Sequence, residues 1–238
     1  MRFRPKTTMT ATALGLLLAA LWLAPQQASA EVIDRIVATV NGNVILQSDW
    51  DEALCYEALL TNRALAQFTD DDRRAVLDRL IDLELLRGQM KSADFPHATD
   101  AEVAARVANA RKQYPQATSE EAWQALLAQY HLTEKDLSAH VQQQIDVMRL
   151  VDARLRPTVE IDSKSIEAYY RDKFVPKLKQ SGASEVPLAD VSAKIRELLT
   201  EEKVSELLVS WLQTLRSEGQ IRIPGATPSA NDPGVQSQ

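Results

Sequence analysis

From Val32 the chain alternates apolar and polar positions for one short stretch, then shifts to a helical spacing that holds almost to its end. Ile36, Ala38 and Val40 interleave with Val37 and Thr39, the period-two pattern of a strand. Asn41-Gly42 follows, and a type I′ hairpin turn needs positive φ at both central positions, which this pair tolerates. Val44, Ile45 and Leu46 make the return strand. Ser48 is the expected N-cap of a first helix, with Asp49 and Asp51 in its first turn, where the helix dipole favours negative charge. A two-stranded hairpin is marginal alone, so something else in the chain must cover it.

The first helix is expected from Ser48 to about Ala66. Thr69-Asp70-Asp71-Asp72 then supplies caps for a second, reaching about Ser92, whose Val76, Leu77, Leu80, Ile81, Leu85 and Met90 form an apolar stripe. Phe95-Pro96 ends that unit. Thr99 with Glu102, and Thr118 with Glu121, read as capping boxes for a third and a fourth helix, separated by Pro115. Thr133 opens a fifth, with Leu137, Val141, Ile145, Met148, Val151 and Leu155 along one face, and it stops before Pro157. After the extended piece Thr158–Ile161, Asp162 caps a helix to about Phe174.

Val175–Pro187, VPKLKQSGASEVP, has no apolar periodicity and reads as a linker. Leu188–Ser217 is a long helix with Ile195, Leu198, Leu199, Leu208, Trp211, Leu212 and Leu215 on its apolar face. Gly219 stops it, and Gln220–Ile223 is a short strand. The tail 224–238 is rich in Pro, Ser and Asn and is expected to be disordered. Ile221-Arg222-Ile223 is the natural third strand for the hairpin. The expected fold is thus mainly α, with a small antiparallel sheet made by an N-terminal hairpin and a C-terminal strand, closing the chain into one discontinuous domain.

Residues 1–30 are set apart as an export signal. Arg2, Arg4 and Lys6 form a positive segment, Ala13–Ala24 an apolar one, and Ala28-Ser29-Ala30 a cleavage site, so the mature chain begins at Glu31. An uncleaved anchor is the alternative, but twelve apolar residues fall short of the ~20 that a spanning helix needs. No Cys follows the cleavage site to carry a lipid. The expected location is periplasmic, with no stable membrane insertion after cleavage.

The remaining 208 residues hold 24 Lys and Arg against 33 Asp and Glu, a net charge of −9. Such a surface repels phosphate backbones, and nucleic acid is excluded as a partner. Cys55 is the only cysteine, so no intrachain disulfide can form; it sits among Leu54, Leu59 and Leu60 and reads as a small core hydrophobe. His97, His131 and His140 share no metal-binding spacing, and no catalytic residue, metal site or cofactor is expected. The acidic groups at Asp70-Asp71-Asp72 and Glu120-Glu121 fall at helix starts, where capping explains them.

VNGNVILQSDW, the helices after it and VSAKIRELLTEEKVSELLVSWLQTLRSEGQIRI together resemble the SurA-type periplasmic chaperones, over about Val32–Ile223. The resemblance implies a module built from an N-terminal helical domain, 31–174, completed by a C-terminal helix and strand, 188–223. In that family one or two parvulin-type prolyl isomerase domains are inserted between these parts. The thirteen residues Val175–Pro187 stand at that place, too few for a domain of ~50 residues or more. The module therefore looks like the chaperone without its isomerase.

The resemblance implies binding of unfolded exported polypeptides, plausibly outer-membrane protein precursors. A prolyl isomerase and a non-catalytic docking subunit of an envelope assembly complex are the alternatives. Trp123, Leu127 and Tyr130, with Leu126, cluster on one short helix. Tyr169 is set about 100° from Tyr170, which shares the i+4 spacing of Ile166 and Phe174. Two readings stand for Trp123, Leu127, Tyr130 and Tyr169: ordinary core, or an apolar cradle for a client chain.

Overall fold

The hairpin forms where the Asn-Gly pair puts it. The computed structural model describes residues 34–91, 95–182, 184 and 186–224. The export signal with its cleavage after Ala30, and the tail beyond Pro224, lie outside the described residues. Strand β1 is Ile36–Val40 and β2 is Asn43–Leu46. Asn41 and Gly42 take φ of 50° and 84°, as a type I′ turn requires. β1 pairs antiparallel with β2 on one side and with β3, Ile221–Arg222, on the other, in the order β2-β1-β3. The third strand expected from the sequence is in place.

The rest is helical. α1 spans Gln47–Thr61, α2 Asp70–Met90, α3 Asp100–Arg111 and α4 Glu120–Gln129. α5 spans Glu134–Leu155, α6 Ser163–Tyr169, α7 Val175–Gln180 and α8 Leu188–Glu218. Thr69, Thr99 and Thr133 each accept from the backbone N–H three residues on. Asp72, Glu102 and Asp136 return the favour as capping boxes. The fold class read from the sequence, mainly α with a small three-stranded antiparallel sheet, is the one observed.

Four local expectations shift. Ser48 is not the first cap: α1 starts at Gln47, its N-cap is Leu46, and the Asp49 carboxylate accepts from the Leu46 N–H at 2.8 Å. Ser48 instead donates through both its N–H and its hydroxyl to Asp34. α1 also ends early, because Asn62 takes a left-handed φ of 50° that stops the helix. In the fourth helix Ser119 replaces Thr118 as cap, its hydroxyl accepting from the Ala122 N–H at 3.1 Å.

The fourth shift concerns the linker. Its first part, Val175–Gln180, is helix α7, joined to α6 through a π turn at Tyr170–Phe174. Pro176 explains the π turn: proline has no N–H to offer the preceding turn, and its ring crowds the carbonyl four residues back. A widened turn relieves both. α8 then begins at Leu188, with no further domain described between the two helices.

Four apolar clusters hold the described residues, one of them made by Leu54 and Ala58 of α1 with Phe68 and, from α2, Val76. Under the sheet, Val37, Ala38, Val40 and Ile45 meet Leu77, Ile81 and Leu85 of α2, with Leu215 of α8 and Ile221 at the edge. Helices α1, α3, α4 and α5 enclose a second cluster centred on Leu59, Val107, Trp123, Leu127 and Leu137. Leu86, Phe95 and Leu150 form a third, covered by Leu208, Trp211 and Leu212 of α8. Each fully buried side chain of this size contributes about 1.5–3 kcal/mol. α8 thus touches two of these clusters, and Arg216 ties it to α2 through Asp78 and Asp82.

Candidate functional site

Of the four residues singled out in the sequence, Trp123, Leu127 and Tyr130 meet in one cluster and Tyr169 lies outside it. Trp123 is 1% exposed and Leu127 is 0% exposed, so both are core of the α1-α3-α4-α5 cluster. Trp123 lies beneath the Arg111 guanidinium at 5.6 Å and beside the Tyr114 ring at 6.0 Å. Arg111 also donates to the Ala117 and Thr118 carbonyls and pairs with Glu120, fixing the α3–α4 loop over the indole. Tyr130 is half-buried at the end of α4 and its hydroxyl donates to Asn62 Oδ1. Of the two readings left open, core is where the structure places Trp123 and Leu127.

Tyr169 sits elsewhere, at the end of α6, half-open, with the Lys173 ammonium 5.5 Å from its ring. Its neighbour Tyr170 is also only half-buried. The π turn brings Tyr170 against Phe174, ring centroids 5.8 Å apart, and the Tyr170 hydroxyl donates to the Val186 carbonyl at 2.7 Å. Tyr169, Tyr170, Phe174, Val175 and Leu178 are all partly open. Only Ile166 of that segment is buried.

Further open apolar surface lies on the long helices. α8 has 31 residues, yet only Ile195 and Val204 are buried. Leu198 and Val209 are exposed, and Leu199, Leu207, Leu208, Trp211 and Leu212 are partly so. Arg154 covers the Trp211 ring at 4.8 Å. Met148, on the apolar face of α5 by its spacing, is 49% exposed beside mid-α3, where Arg106 Nη2 lies 3.8 Å from its sulfur. It borders a groove of about 390 Å³ between α3 and α5 with Ile145 and Arg106. A second groove between the same helices, about 570 Å³, is walled by Ala104, Ala108 and Ala139 with charged Asp100, Glu134 and Lys135 at its rim.

Electrostatically these surfaces are quiet. The strongest perturbations are caps: hydrogen bonds from Thr99, then Arg149, hold Glu102 at about 2, and Arg63 and Thr69 do the same for Asp72. Burial, reinforced by Asp51 and Glu52, pushes the Cys55 thiol up, away from nucleophilic thiolate. His140 stacks on Tyr56 at 4.4 Å with Glu52 3.0 Å from its Nε2. Among the described residues no group of three His, Cys, Asp or Glu could hold a metal ion. Nor is any described helix long and apolar enough to cross a membrane. What the arrangement offers is half-open apolar surface along α8 and the π turn.

Periodicity marks the face of α8 but not its openness, and it sets Met148 on one face with Leu137 and Val141 although Met148 is open and they are buried. Spacing reports which residues share a face, not whether a neighbour covers it.

No curated protein matches the chain. One solved structure comes from work on the virulence factor PEB4 and the periplasmic protein Cj1289, two structurally related SurA-like chaperones of Campylobacter jejuni. It aligns with a TM-score of 0.48 at 12% identity, covering 81% of this chain and 100% of that one. The family model described as the SurA-like N-terminal domain matches residues 1–151. With well over half of its length in that match, the chain belongs to the SurA-like N-terminal domain family.

Proposed function

We propose that this SurA-like chaperone domain is an ATP-independent holdase of the periplasm, binding unfolded exported polypeptides, outer-membrane protein precursors among them. The observation that carries the reading is α8: a 31-residue helix rich in Leu and Val that buries only two side chains. A helix of that composition, packed on one side and left open along its length, offers a client many weak apolar contacts. Tyr169, Tyr170 and Phe174 extend the surface with rings that tolerate both water and apolar contact. Contacts of this kind are reversible and need no cofactor. Covering a client's apolar segments keeps it from aggregating until it is delivered. The acidic body keeps the chaperone itself soluble.

The test is light scattering of a urea-unfolded outer-membrane protein on dilution, with and without the chain, beside a prolyl isomerase assay on the same preparation. Suppressed aggregation without isomerase activity is expected. Isomerase activity abolished by an active-site inhibitor would show a catalytic pocket instead. No effect in either assay would replace the holdase by a subunit that docks to one folded partner.

A further inference from the structure

Charge is not spread evenly over this molecule. Ser163–Gln180, the segment made of α6, the π turn and α7, carries Lys164, Arg171, Lys173, Lys177 and Lys179 against Glu167 and Asp172, a net +3. The chain after residue 30 is −9, so everything outside this segment sums to −12. Elsewhere several arginines are tied to carboxylates (Arg63 to Asp72, Arg111 to Glu120, Arg149 to Glu102, Arg156 to Glu197, Arg216 to Asp82), while Arg106, Arg154 and Arg196 meet Met148, the Trp211 ring and the Ile161 carbonyl. In Ser163–Gln180 only Arg171 is paired, with its neighbour Asp172. Among the described residues Lys164, Lys173, Lys177 and Lys179 form no ion pair.

The same segment is where the aromatic side chains are half-open. Lys173 lies over Tyr169, and Phe174, Val175 and Leu178 alternate with Lys173, Lys177 and Lys179 along the helix. Tyr170 is pinned to Val186 and stacked on Phe174, so the apolar strip is held in place rather than free to collapse. Solvated lysines alone would be ordinary surface. Residues 103–118 are also net +3, through Arg106, Arg111 and Lys112, but Arg111 is paired there with Glu120; in Ser163–Gln180 the lysines are unpaired and interleaved with a fixed apolar strip, and that combination makes a surface of defined chemistry.

Resting on the holdase reading above, we propose that Ser163–Gln180 is the docking site for acidic, apolar segments of the unfolded client. An acidic segment approaching the rest of the molecule meets repulsion within the Debye length of ~8 Å at physiological salt. At this island the charge and the apolar contact both favour it. Charge complementarity of this kind decides which segment docks and how fast, while the apolar strip supplies the contact area. The island thus gives an acidic chaperone a way to engage acidic clients.

Fluorescence anisotropy with two labelled peptides tests this on the purified chain. Both contain the same Leu, Val and Phe residues, and they differ only in carrying Asp/Glu or Lys/Arg between them. The acidic peptide should bind about tenfold tighter at about 0.05 M ionic strength, and the preference should shrink as salt screens the charges. K173E/K177E/K179E should erase or reverse the preference with an unchanged melting temperature, and the milder K177Q/K179Q should reduce it. Equal binding of the two peptides overturns the proposal, as does a preference that survives the charge reversal. Binding to phosphatidylglycerol vesicles with no peptide preference would assign the island to a membrane surface instead. Suppression of a neutral client's aggregation by the unaltered chain decides the holdase reading separately.

Discussion

Asn41 and Gln220 exchange two hydrogen bonds across 179 residues of chain: the Gln220 N–H donates to Asn41 Oδ1 at 2.8 Å, and the Asn41 N–H donates to the Gln220 carbonyl at 2.9 Å. One residue therefore does two jobs. Its left-handed backbone turns the hairpin, and its side chain receives the strand that returns from the far end of the chain. The closure of the fold is concentrated at this point.

Separating the two jobs of Asn41 is the first prediction. Asn41→Gly keeps a residue suited to positive φ and removes only the side-chain acceptor, so it should cost about 1 kcal/mol. Asn41→Val should cost more, because a β-branched residue resists that φ as well. Chemical denaturation of the two variants checks the order; equal losses would mean that the side-chain acceptor alone matters.

Gly219 gives a second. A Cβ there would stand 2.8 Å from the Leu215 carbonyl oxygen and 3.0 Å from Leu85 Cδ2. The carbonyl is backbone and accepts the Gly219 N–H that ends α8, so it cannot step aside cheaply. Gly219→Ala should lower the melting temperature even though alanine is the better residue in most exposed positions. A neutral or stabilising result would show that the helix end shifts freely.

Removing residues 188–238 should do more than weaken client binding. Leu215 leaves the sheet cluster, Leu208, Trp211 and Leu212 leave the Leu86–Phe95–Leu150 cluster, and β1 loses an edge partner. Loss of the cooperative thermal transition is expected. A truncated chain that still melts cooperatively would mean the N-terminal helices fold alone.

Much of this architecture is legible in the sequence because its signals are local. Asn41-Gly42 fixes the turn, and Thr69, Thr99 and Thr133 fix three helix starts within four residues each. The need to cover a lone hairpin pointed to Ile221–Arg222, and that pairing is real. What stayed hidden depends on neighbours far along the chain. Nothing local announces that Arg216 meets Asp78 and Asp82, more than 130 residues away. Pro176 suggested a linker, yet a π turn absorbs it within a helix. Neither Trp123 nor Tyr169 carries a local signal of its burial, and only packing separates core from open surface.

Acid should loosen the loops that precede α2 and α3. Thr99 and Arg149 hold Glu102 at about 2 instead of the ordinary 4.5, and Arg63 with Thr69 holds Asp72 at about 2 instead of 3.8. Both carboxyls are depressed in the folded chain, so their contribution is complete above the ordinary values and is lost as pH falls toward about 2. The melting temperature should drop over that window. Glu102→Gln and Asp72→Asn should lower it near neutrality but differ less from the unaltered chain at the acid end. A gap that stays constant with pH would show that these carboxylates do not couple folding to protonation.

The contrast between Trp123 and Tyr169 is the sharpest way to part structure from function. Trp123 is sealed by Arg111, Tyr114 and the small residues of α3 and α5, so Trp123→Ala should open a cavity and cost about 3–5 kcal/mol. Tyr169 is half-buried and belongs to no core cluster, so Tyr169→Ala should cost about 1 kcal/mol. In the aggregation assay the order should invert when both are compared well below their melting temperatures. Tyr169→Ala removes a ring from the proposed client surface and should weaken suppression, whereas folded Trp123→Ala leaves that surface intact. If Trp123→Ala abolishes suppression while its melting temperature is unchanged, the indole contacts the client by opening of the α3–α4 loop. The core assignment would then describe only the client-free state.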